Sequence, residues 1–74
     1  MKTQKDRIQI VSDVNERDGI GIEVYRNDKL FVEIFRDDTK KTRVITLYHQ
    51  EIPLEDMEQF IEIFKKEIPI EFID

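Results

Sequence analysis

Few side chains in this sequence could take part in chemistry, and they do not assemble into a recognised motif. His49 is the only histidine, the one side chain whose ordinary pKa lies near neutrality. As a general base it needs a carboxylate to orient it and a nucleophile or substrate within reach. Glu51 follows two residues later, and the chain's single serine is Ser12. Asp37-Asp38 ahead of Thr39-Lys40-Lys41 has the acidic-then-basic order of some metal-dependent phosphodiester sites. Adjacent aspartates on a strand point to opposite faces, and the stretch lacks the alternating ligands and bend glycine of a calcium loop. It reads as a solvated hairpin tip. A small hydrolase centred on His49 is therefore the third reading in rank, and it requires His49 and Asp37-Asp38 to meet in a cleft.

Lys40-Lys41-Thr42-Arg43 is the only basic cluster, with Asp37 and Asp38 expected to offset it. The formal net charge of -5, from 17 acidic and 12 basic residues, repels phosphate backbones and argues against a nucleic-acid partner. The glycines of Gly19-Ile20-Gly21 are not followed by a lysine–serine/threonine pair or a helix start, so they form no phosphate loop. With no cysteine there is neither a disulfide nor a thiolate metal site. No catalytic, metal or cofactor-binding residue is assigned, and no cofactor is expected. Met1 to Gln9 is polar, unlike a signal peptide, and no run approaches the ~18 apolar residues of a membrane span. The expectation is a cytoplasmic protein without a membrane partner.

The chain has 74 residues, room for one domain. Isoleucine supplies 12 and valine five of its 29 hydrophobic residues, so the composition leans toward strands. Residues 1–6 read as a frayed polar tail. A period near two makes 7–14 a strand, and Asn15 to Gly19 a turn in which Gly19 is free to take positive φ. Ile20, Ile22 and Val24 alternate with Gly21, Glu23 and Tyr25, and Leu30, Val32 and Ile34 alternate with Phe31, Glu33 and Phe35. Two such runs across Asn27-Asp28 predict a hairpin of strands 20–26 and 29–36. A two-residue turn would put apolar and acidic residues on one face. The favoured register therefore has an Arg26-Asn27-Asp28 loop pairing Val24 with Leu30, or an equivalent bulge; a slide that sets Glu23 opposite Glu33 is disfavoured.

Arg36 to Thr42 reads as a charged connection too polar to bury, and 43–49 as a strand apolar on both faces. Pro53 in a first turn, the stripe Leu54, Met57, Phe60, Ile61, Phe64 and Ile68, and the break at Pro69 predict a helix over 53–68, with Ile63 off the stripe. Residues 69–74 form an extended tail that docks. The fold class is α+β: a two-layer, four-stranded antiparallel meander with one C-terminal helix on one face.

One helix cannot cover both sides of such a sheet. If the isoleucine and valine rows meet it, Tyr25, Phe31 and Phe35 point away, joined either by Val44 and Tyr48 or by Ile45 and Leu47. That aromatic face must be exposed, covered by Ile70, Phe72 and Ile73, or covered by another chain. The expected role is a small non-enzymatic interaction module, forming a homodimer or binding an unidentified protein through Tyr25, Phe31, Phe35 and Tyr48, with Glu23, Glu33 and Arg26 as a polar rim. The alternative is an acidic antidote or immunity-type inhibitor of a basic partner.

Overall fold

The computed structural model describes residues 6–14, 18–49 and 51–73. Strands β1 (Asp6–Asp13), β2 (Gly19–Arg26), β3 (Lys29–Asp37) and β4 (Thr42–Leu47) form one antiparallel sheet in the order β1-β2-β3-β4, followed by helix α1 (Leu54–Glu67). This is the expected two-layer α+β meander. Of the expected frayed tail, residues 1–5 lie outside the described residues, while Asp6 already belongs to β1. Residues 15–17 of the first turn and Asp74 of the tail also lie outside them.

The central hairpin differs from the favoured register, for a clear reason. Asn27 and Asp28 both take positive φ, 54° and 64°, as the primed two-residue turns that fit strand twist require. Such a tight turn pairs Tyr25 with Leu30, which alone would set the apolar faces out of phase. A bulge between this pair and Val24–Val32 makes Phe31 the extra residue and restores the phase. Beyond it Ile22 pairs with Ile34 and, in the slide judged unfavourable, Glu23 with Glu33. Both registers bury the same apolar row, so the tight Asn27-Asp28 turn with its single bulge decides between them and outweighs the few tenths of a kcal/mol that opposed like charges cost.

The bulge also exchanges two side chains. Leu30 was expected beneath the helix and Phe31 away from it; instead Phe31 enters the core and Leu30 is half-buried outside it. The core comprises Ile22, Val24, Phe31, Val32 and Ile34 from the hairpin with Phe60, Phe64 and Ile68 from α1 and its exit. Met57, Ile61 and Ile63 pack against it, whereas Leu54, expected on the buried stripe, is 66% exposed at the helix start. Pro53 caps rather than opens α1, and its carbonyl accepts the Met57 N–H at 3.1 Å. Ile68 is extended, φ -116°, as the following proline favours.

On the far face a single ring is buried without a second layer. Phe35 is 1% exposed, paired with Gly21 on one side and Val44 on the other. Its ring lies over β2: a Cβ at Gly21 would stand 2.9 Å from Phe35 Cδ1 and collide with the Ile34 carbonyl, and one at Gly19 would be 3.1 Å from Phe35 Cε2. Neither glycine has positive φ. Their role is close approach, correcting the conformational role expected of Gly19. Gly21→Ala should cost about 1–3 kcal/mol through overpacking, read as a lower urea midpoint. An unchanged midpoint would show that β2 and β3 yield at the Ile34 carbonyl as well as at the ring, and that the close approach is not needed.

Candidate functional site

Of the four residues expected to line an aromatic face, the structure separates three from any surface role of that kind. Phe31 is 7% exposed and meets Phe60 edge-on, centroids 6.2 Å apart at 88°. Phe35 is held over the glycines. Tyr25 is half-buried, with Arg7 stacked on its ring at 4.4 Å and its hydroxyl donating to Glu23 Oε1 at 2.8 Å, which pushes the phenol pKa up. Only Tyr48, 53% exposed, stands open. The continuous aromatic patch is absent because the bulge turns Phe31 inward and β2 gives Phe35 a glycine seat.

A run of exposed apolar side chains lies instead on β4, while Ile10, Val14, Leu54, Ile70 and Ile73 are exposed outside it. Val44 is 46%, Ile45 43% and Leu47 52% exposed, and Tyr48 follows them. Ile45 and Leu47 share a row with Ile34 and Val32 on the helix side, while Val44 shares the opposite side with Phe35. Among the strands α1 lies chiefly over β2, so at the sheet's edge β4 keeps Val44, Ile45 and Leu47 exposed on its two sides. The strand that reads as apolar on both faces thus presents apolar side chains to solvent on both. It carries no proline, and its one charged side chain, Arg43, folds away to donate to the Ile70 carbonyl, Nη2 at 2.6 Å and Nε at 3.1 Å. Devices that normally blunt an edge strand are thus missing along Val44 to Leu47.

At the other end of β3 a buried ionic clasp occupies the stretch expected to be solvated. Arg36, Asp37 and Asp38 are 2%, 6% and 8% exposed. Arg36 donates to both Asp38 carboxylate oxygens, at 2.9 and 3.1 Å, and to the Pro69 carbonyl at 2.7 Å. Asp38 also accepts the Ile73 N–H at 3.1 Å and donates its own N–H to the Asp18 carbonyl at 2.7 Å. Asp37 caps the turn by accepting the Thr39 and Lys40 N–H groups, both at 3.0 Å, while Lys41 of the basic cluster acts on Asp38 and helps lower its pKa. Arg43 stacks on Phe72 at 4.3 Å. The tail is therefore strapped to the helix-side row of Arg36 and Arg43, not laid over the open face, and adds no fifth strand.

The clasp and a second ionic hub set the acid response. Arg26 holds Asp6 through two bonds of 2.7 and 2.8 Å and reaches Asp56 at 3.1 Å, joining β1, β2 and α1; its hydrogen bonds hold the Asp6 carboxyl below its ordinary value. Burial alone would raise Asp38, but the Ile73 N–H and the Arg36 guanidinium outweigh it and lower its pKa. Both groups prefer to be ionised in the folded state. Their contribution is complete above the unfolded carboxyl pKa, about 4, and is lost as pH falls through the depressed folded values. Melting temperature should be flat from about pH 7 to 5 and drop below about pH 4, and Asp6→Asn/Asp38→Asn should flatten that drop. A parallel acid profile in the double variant would contradict the assignment.

His49 sits at the end of the sheet remote from Asp37 and Asp38. Its ring is 5.4 Å from that of Phe31, and its Nδ1 lies 3.1 Å from the Glu51 carbonyl oxygen. Asp38 is seven residues beyond Phe31 along β3 and its end, about 23 Å at strand spacing. The convergence required for the hydrolase is not formed. A depression of about 480 Å³ beside His49 is lined by Arg26, Lys29, Phe31, Tyr48 and Pro53, and the Arg26 guanidinium is already spent on Asp6 and Asp56. Among the described residues no three histidine, aspartate or glutamate side chains gather as metal ligands would, and no helix is long and apolar enough to cross a membrane.

No family model matches the chain, and neither a curated protein nor a solved structure resembles it closely enough to count as a match.

Proposed function

We propose that the chain is a small non-enzymatic protein–protein contact module, and that it makes contact through β4 rather than through an aromatic sheet face. The observation that carries this reading is the pairing of position and exposure. β4 is an edge strand, and Val44, Ile45 and Leu47 on it, with Tyr48 just beyond, are all more than two-fifths exposed. Scattered apolar exposure is ordinary on a protein surface, but a cluster on an unguarded strand edge is what a partner strand or surface can cover. Wild-type protein and Leu47→Lys, used as baits in extracts of the source cells, test it. A protein retained by the wild type and lost with Leu47→Lys supports the reading; equal retention by both overturns it.

The acidic-inhibitor reading draws support from one feature. Glu55, Glu58 and Glu62 are exposed at three- and four-residue steps and so line one side of α1. A basic target docked there would bind with an affinity falling steeply with salt, whereas contact through β4 would change little.

A further inference from the structure

We propose that the occupant of the β4 edge is β4 of a second copy, paired antiparallel about a two-fold axis at Ile45 to give a continuous eight-stranded sheet. This rests on the reading of β4 as the contact surface and specifies its partner. A helix or flat surface laid against β4 would cover one face and leave the other open. A strand added at the edge flanks both rows at once, Val44 and Tyr48 on one side and Ile45 and Leu47 on the other, because its own side chains alternate between the two faces.

The backbone supplies the matching groups. Tyr48 donates its N–H inward to the Phe31 carbonyl at 3.0 Å. By antiparallel alternation Thr42, Val44 and Thr46 also bond toward β3, and the N–H and C=O groups of Arg43, Ile45 and Leu47 point outward. A two-fold axis normal to the sheet keeps each side chain on its own face, so opposed residues must be an even number apart. Two registers centre on the strand. With Val44 opposite itself, Leu47 would have to bond Lys41, which has left the strand at φ 59°. With Ile45 opposite itself, Arg43 meets Leu47 at both ends, and all three outward-facing residues are paired. The second register is selected. It sets Tyr48 against Thr42 and Val44 against Thr46, and keeps the two Arg43 side chains about four residue spacings, roughly 13 Å, apart. Its symmetry closes the contact, whereas pairing β4 with β1 of the next copy would not close and would grow without limit.

Light-scattering mass over a concentration series tests the proposal, with Ile45→Pro as the probe. Proline there deletes an N–H directed outward and spares the β3 ladder. The wild type should rise from 9.0 kDa to a plateau near twice that mass, and Ile45→Pro should remain monomeric or need at least tenfold higher concentration. Should Ile45→Pro fail to fold, amide exchange of the wild type gives the same answer. The Ile45 and Leu47 amides should slow with concentration while those of Val44 and Thr46 do not change. A monomer at every concentration, a mass that climbs without plateau, or concentration-independent exchange at Ile45 and Leu47 overturns the two-fold pairing. A wild-type monomer whose bait still loses its captured protein with Leu47→Lys leaves β4 as a contact surface for another chain, so the two failures are separable.

Discussion

Arg36→Met should cost about 3–5 kcal/mol, a larger loss than any surface substitution, because it leaves Asp38 buried without its cation. Arg36 is 2% exposed and fixes two segments at once, the Asp38 carboxylate and the Pro69 carbonyl. A chain of this size has of order 4–11 kcal/mol of stability in all, so the variant should melt more than about 12 °C lower. The tail should come loose as well, seen as rapid exchange of the Ile73 amide that Asp38 now accepts. Adding Asp38→Leu should recover part of the loss, since replacing both members of a buried pair with apolar groups is often neutral. If Arg36→Met melts with the wild type, the clasp does not hold the tail. If the double variant is worse than the single, the Asp38 carboxylate acts mainly through the Ile73 N–H.

The clasp shows where local sequence patterns stop informing. Alternation announced all four strands, and the three- and four-residue stripe announced α1, because both follow from which side of an element must be dry. Arg-Asp-Asp-Thr-Lys-Lys-Thr carries no such periodicity and looks like a solvated loop. Thr39 to Thr42 are indeed exposed, but the burial of Arg36 and Asp38 depends on Pro69 and Ile73, more than thirty residues away, supplying backbone groups. No local pattern reports a partner at that distance. The only available signal was the apolar, proline-broken tail, which had to dock somewhere. Gly19 and Gly21 are similar. Their lack of side chains was visible, but its use as a seat for Phe35 emerges only once β2 and β3 are in register. For the surface, Tyr48 and the two-faced character of β4 were legible, while its lack of cover followed from the helix lying over β2.

Phe31→Ala should destabilise the fold by about 3–5 kcal/mol, and Phe31→Asp should prevent folding at room temperature. An aromatic residue on an open sheet face would behave otherwise: a charge there would weaken association and leave the monomer intact. The bulge reverses that expectation. It places the ring against Phe60, with the Arg26 guanidinium 4.5 Å from its centroid and His49 on another side, so truncation opens a cavity in the core and strips a neighbour from the hub that joins β1 and α1. Tyr48→Ala, one residue beyond the edge strand, should stay within about 0.5 kcal/mol of the wild type when measured on dilute protein. The pair of variants thus divides folding from contact. Urea melts of both, at concentrations well below any association, should show a large shift for Phe31→Ala and almost none for Tyr48→Ala, whereas the mass at high concentration should respond to Tyr48→Ala. Equal small shifts would mean that Phe31 is not packed beneath α1 and that the bulge does not carry it into the core.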